Sequence, residues 1–202
     1  MKKIILTLIL TLIFSQFAFA NSIAKYEIAG AKLNISILEI MSEDQVLENV
    51  LRRDERDDKY FYIKYIPDTT KYQNSDFDEY YLTIDSSDEI FPIVAITAMK
   101  YFKTDFEACL KKQNIYADKF QKIFGIKKEI HPVLDFSDKY GPGSKWRPII
   151  FEKPNYQTIK SDTASVLCYH YGVSPENDLF GKDNLKVNIL KREFADLITV
   201  KN

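Results

Sequence analysis

The sequence predicts an α+β fold, a mostly antiparallel β-sheet with one or two amphipathic helices packed on one face. Three observations predict it. Apolar segments of strand length outnumber helical ones. Gly, Pro, Asn and Asp turns separate them. No regular strand–helix–strand rhythm appears, so a parallel sheet is not expected.

The first residues stand apart from that pattern. Lys2 and Lys3 precede an apolar run from Ile4 to Phe14, and Ala18-Phe19-Ala20 supplies small residues at cleavage-site positions. Residues 1–20 therefore read as a secretory signal peptide. The run is broken by Thr7, Thr11, Ser15 and Gln16 and is short for a membrane span. No stable membrane insertion is expected after cleavage. Residues 21–202 read as a single α+β domain. The Lys-rich start points to the periplasm, with full secretion as the alternative.

The mature part has the means to build a core, with 14 Phe and 13 Tyr in the whole chain and only 6 Gly and 7 Pro. Without Lys2 and Lys3, 26 Lys and Arg face 29 Asp and Glu, a net charge of −3. That balance gives no general attraction to nucleic acid. The only cysteines are Cys109 and Cys168. An oxidising compartment makes them the expected disulfide. Without a C-x-x-C pair, a thioredoxin-like role lacks its basic feature.

Along the chain, Tyr26–Ala29 and Leu33–Ile40 are apolar enough for strands. Ser42 and Gln45 form a capping-box pattern, and Val46, Leu47, Val50 and Leu51 follow at helical spacing. Tyr60–Ile66 is β-rich and stops at Pro67. Asp68–Asp78 is polar and reads as a loop. Glu79–Ile84 is a further strand, while Phe91–Met99 suits a buried strand or a short helix. The best helix follows, with a Thr104/Glu107 capping-box pattern and a stripe of Phe106, Cys109, Leu110, Ala117, Phe120 and Phe124. Gln113 breaks that stripe, and Gly125 sits at the C-cap position. Later strands are expected at Val133–Phe136, Ile149–Glu152, Tyr156–Lys160, Ala164–Tyr171 and Leu185–Leu190, with Ile198–Val200 as a short closing segment.

Few residues point to chemistry. Cys168 and His170 would share one strand face, where a free thiol beside a base could act as a nucleophile or ligate zinc. Pairing of Cys168 with Cys109 would remove both options. Pro132 holds His131 toward an extended backbone, so a positioning role is expected there. The acidic groups Asp85, Asp88 and Glu89, and Asp76, Asp78 and Glu79, lack the spacing of a calcium loop, as does Asp178–Asp183. They read as solvated faces, and neither a metal nor a cofactor is expected. The glycines form no phosphate loop or dinucleotide fingerprint.

The most distinctive segment is residues 139–148. Gly141, Pro142 and Gly143 shape a loop, Lys139, Lys145 and Arg147 make it positive, and Tyr140 and Trp146 add flat apolar surface. Trp, Tyr and Arg are frequent interface anchors. These five are the candidate protein-binding residues. The alternative is a hairpin whose Trp146 folds back on the core. Together these features suggest an exported periplasmic binding or inhibitor module whose partner is another protein, such as a cell-envelope enzyme or toxin. An immunity-type protein acting by steric blockade would be one form. An envelope enzyme acting on peptidoglycan or a small ligand, and an envelope structural or accessory protein, are the alternatives.

Overall fold

The computed structural model describes residues 23–68, 70–72, 76–152, 162–172 and 182–199. The expected leader at 1–20, the strand at 156–160, most of 178–183, Val200 and the side chain of Lys139 lie outside the described residues.

Among the described residues, nine strands form one sheet: β1 (Val50–Arg53), β2 (Tyr60–Tyr65), β3 (Glu79–Asp85), β4 (Ile93–Tyr101), β5 (Lys128–Ile130), β6 (Leu134–Asp135), β7 (Lys145–Phe151), β8 (Thr163–His170) and β9 (Asn184–Leu190). Their order is β1-β2-β3-β4-β9-β8-β7-β5, with β6 also on β7. Every pairing is antiparallel. Among the described residues, three helices longer than one turn accompany the sheet, where the sequence suggested one or two. They are α1 (Glu43–Asn49), α2 (Phe106–Phe124) and α3 (Arg192–Thr199).

Helix α2 makes the core. Its stripe of Phe106, Cys109, Ala117, Phe120 and Phe124 is buried and lies across β7, β8 and β9. The strands answer with every second side chain, since strand residues alternate between faces. Val166, Cys168, Leu185, Val187 and Ile189 are fully buried there. Full burial of each large apolar side chain contributes about 1.5–3 kcal/mol. The Cys109–Cys168 disulfide ties helix to strand, with Cα atoms 6.0 Å apart and its ends 59 positions apart in sequence. Gly125 ends the helix at φ 64°, a left-handed conformation that glycine adopts without steric cost.

Several expectations are corrected. At the start of α2, Asp105 rather than Thr104 is the N-cap, its carboxylate accepting from the Ala108 N–H at 2.8 Å. The Ser42–Gln45 box at α1 forms in both directions, at 2.8 and 3.3 Å. Yet no α1 residue is buried, Leu47 is 69% exposed, and Val50 and Leu51 lie in edge strand β1. The segment before α1 is not a pair of strands. It is an irregular strap with left-handed residues at Ala29 and Asn34 and a 3-10 turn at Ile37–Glu39. A Ser36–Glu39 capping box holds that turn. The strap still buries Ile23, Ile28, Leu33 and Ile37. Phe91–Met99 resolves as strand β4, which continues to Tyr101. Finally, Ile198 belongs to helix α3 rather than to a closing strand. Among the described residues, no helix is long and apolar enough to cross a membrane.

Candidate functional site

The two faces of the sheet differ in cover. One carries α2. The other is covered at one end by α3, whose Phe194 packs edge-on against Tyr60 and Tyr62, with centroids 5.0 and 6.4 Å away. Beyond α3, the register of five strands assembles ordered rows on this second face. One row runs Tyr101–Asn184–Tyr169–Trp146–Leu134 across β4, β9, β8, β7 and β6. The next places Met99, Lys186, Leu167 and Pro148 side by side. The third contains Thr97, Asn188 and Ser165. There the Thr97 hydroxyl donates to Asn188 Oδ1 at 2.9 Å, and Asn188 Nδ2 donates to Ser165 Oγ at 3.1 Å.

The first row is an aromatic cluster. Trp146 and Tyr169 stack at 5.8 Å and 15°, and Tyr169 stacks on Tyr171 at 6.1 Å and 10°. Phe136 packs on Trp146 at 5.6 Å, and Tyr140 meets Tyr171 edge-on at 5.3 Å. Trp146, Tyr140, Tyr169 and Tyr171 are all half-buried. Lys186 holds its ammonium over the Tyr169 ring, 4.8 Å from the centroid. Burial pushes the Tyr169 hydroxyl pKa up and the Lys186 ammonium pKa down. Asn184 is buried; its Nδ2 donates to the Lys182 carbonyl at 3.1 Å, while its Oδ1 accepts no hydrogen bond among the described residues.

The loop before Trp146 is fixed to the end of β8. Gly141 and Gly143 take φ values of 90° and 83°, which favour glycine. Ser144 Oγ donates to the Tyr140 carbonyl at 2.9 Å and accepts the Gly172 N–H at 2.7 Å. A Cβ at Gly172 would stand 1.8 Å from the Pro142 carbonyl oxygen. The close approach of these two backbones sets where Tyr140 and Trp146 stand.

The structure divides the four candidate residues whose side chains it describes; Lys139 lies outside that set. Tyr140 and Trp146 join the aromatic cluster. Lys145 and Arg147 turn to the α2 face. The Lys145 ammonium lies over Phe106 at 4.8 Å. Arg147 Nε donates to Gln113 Oε1 at 2.7 Å, and its Nη2 donates to Asn114 Oδ1 at 2.9 Å. Gln113 is fully buried, and its Nε2 donates to the carbonyls of Arg147 and Val166, each at 2.7 Å. The residue that interrupts the apolar stripe is thus a polar latch between α2 and strands β7 and β8.

Tyr169, Tyr171 and Lys186 were not singled out from sequence. The available signal was the alternation Cys168-Tyr169-His170-Tyr171, which sends both tyrosines away from the disulfide.

Other candidates are committed elsewhere. Cys168 has no thiol to offer, being disulfide-bonded. His170 Nδ1 sits 2.9 Å from both oxygens of buried Asp183. Asp76 accepts from Lys112 and Tyr116, Asp78 from the Tyr101 N–H, and Asp85 from Ser87. Glu79 accepts the hydroxyls of Tyr81 at 2.5 Å and Tyr101 at 2.7 Å. Burial opposes its ionisation, but these two donors and Lys64 bring its pKa below the usual value. Burial first, then the Glu79 carboxylate, raise Tyr81 to about 12. Among the described residues, no group of three His, Cys, Asp or Glu side chains converges to hold a metal.

A cleft of about 570 Å³ opens beside the ends of β2 and β3, lined by Tyr65, Pro67, Tyr72, Phe77 and Tyr80 among others. Its acids are Asp78 and Glu79, both engaged as just described. Comparison with protein-family models, with curated proteins and with solved structures finds no match.

Proposed function

We propose that this protein is an exported binding module that blocks a partner protein sterically, and that Tyr140, Trp146, Tyr169 and Tyr171 form its contact surface. The stacked, half-buried ring cluster on the sheet face beyond α3 carries this reading. Aromatic anchors held in place before binding lose little freedom on association, so more of their contact energy appears as affinity. The loop locked against Gly172 supports such preorganisation. The disulfide and the leader-like first twenty residues support export to an oxidising compartment. An immunity-type protein against a toxin or lytic enzyme fits this mode of action.

The test is capture from envelope and culture fractions with the mature chain as bait, beside a Trp146→Ala bait. One stoichiometric protein retained by the first bait and lost from the second is the expected result. Equal retention by both, or no partner together with turnover of cell-wall substrate, overturns the proposal.

A further inference from the structure

We propose that Lys186 is the polar anchor of this surface and receives a carboxylate side chain, Asp or Glu, from the partner protein. The inference rests on the binding reading above and adds the chemistry of what is bound.

The charges of the second face carry it. Glu79 and Lys64 pair with each other at 3.5 Å, and Glu79 also accepts hydrogen bonds from two tyrosine hydroxyls. Lys186 and Lys182 are different. The Lys186 ammonium rests on the ring of Tyr169, and that of Lys182 on the ring of Tyr101, 5.5 Å from its centroid. Neither ammonium pairs with a carboxylate among the described residues. Asp183, their neighbour in sequence, is held by His170 and by the Tyr171 N–H at 3.3 Å. A chain of net negative charge therefore leaves cations on the face that carries its aromatic cluster.

A half-buried ammonium keeps only part of its hydration, and an aromatic ring compensates only part of that loss. A carboxylate arriving beside Lys186 would form a charge-assisted hydrogen bond, shielded by Tyr169 and Leu167. Leu167 and Met99 flank Lys186 in the strand register. A single acidic side chain between apolar groups fits that arrangement. A polyphosphate strand would need a continuous positive groove, and Glu79 interrupts it.

Trp146 is the only tryptophan of the chain, and it stacks on the ring that carries Lys186. Its fluorescence therefore reports on this spot. The experiment titrates the mature chain with hexaglutamate, hexaglutamine, free glutarate and a thymidine hexanucleotide. The expected result is a saturable change with hexaglutamate that is absent with hexaglutamine and weaker with glutarate. Lys186→Met should weaken hexaglutamate binding about tenfold. Lys186→Arg should restore most of it, and Lys64→Met should leave it unchanged. Circular dichroism and melting temperature verify that each variant is folded.

Tighter binding of the oligonucleotide, no response to hexaglutamate, or equal affinity in Lys186→Met overturns the inference. The captured partner separates the two proposals. If Trp146→Ala loses it while Lys186→Met keeps it, the carboxylate anchor falls alone. If both variants keep it, both proposals fall.

Discussion

The two faces of the sheet use the same strands for different ends. Along β9, Leu185, Val187 and Ile189 point one way and are fully buried, while Asn184, Lys186 and Asn188 point the other way. Along β8, Cys168 forms the disulfide on one side and Tyr169 joins the ring cluster on the other. The helix-covered face is apolar, cross-linked and latched by a buried amide. The second face is aromatic and polar, ordered by strand register rather than by a covering helix. Stability is concentrated on the first, and the proposed recognition surface lies on the second, so substitutions should separate the two.

The largest separation should come from the disulfide. Replacing Cys109 and Cys168 together by Ala removes a loop constraint worth about 4 kcal/mol in the chain-entropy account. Urea denaturation should show a loss of that order. A loss below about 1 kcal/mol would mean that α2 is held by packing alone.

Gln113→Ala should cost less, about 2 kcal/mol, because it removes the side-chain amide that bonds the Arg147 and Val166 carbonyls and the Arg147 Nε. The same measurement reads it. Wild-type stability in this variant would mean that the latch contributes nothing.

Asp54 gives the second face an acid-sensitive corner. Arg56 beside it, with the Tyr62 hydroxyl, holds its carboxyl well below the usual carboxylate range. A carboxyl depressed in the folded state contributes stability that is fully present above its unfolded value of about 3.9. That contribution is lost as pH falls from there through the folded value. Asp54→Asn should therefore cost about 1–2 kcal/mol at neutral pH and flatten the melting-temperature profile below about pH 4. An unchanged profile in the variant would remove Asp54 from the account.

The smallest effect on stability should be that of Trp146→Ala. Half-buried, stacked on Tyr169 and packed on Phe136, it should cost about 1 kcal/mol. A cost of 3 kcal/mol or more would place Trp146 with the core and erase the contrast between the faces.

Regular periodicity made the first face legible. The α2 stripe repeats at helical spacing and β9 alternates from Asn184 to Ile189, so helix, strand and disulfide could all be read from residue order. The pattern failed where tertiary contact overrode it. Val46 to Leu51 keeps helical spacing, but pairing with β2 draws Val50–Arg53 into an edge strand. The apolar residues of the N-terminal strap suggested strands, yet its left-handed residues and Ser36–Glu39 box bend it instead. The second face was legible only in Tyr140 and Trp146. Its row draws residues from strands scattered between Tyr101 and Asn184, and cross-strand register follows from folding rather than from residue order. Gln113 could be seen as an exception to its stripe, but its strand partners could not.

The covalent link between Cys109 and Cys168 has a consequence for a protein that would live among proteases. A cut at any peptide bond between those two residues leaves both fragments joined, because the sulfur bridge spans the break. Such a nicked molecule would migrate as one species on a non-reducing gel and as two after dithiothreitol. A cut outside that interval leaves its fragment with no covalent tie, so the bridge divides the backbone into a stretch that survives single scission as one covalent molecule and flanks that do not.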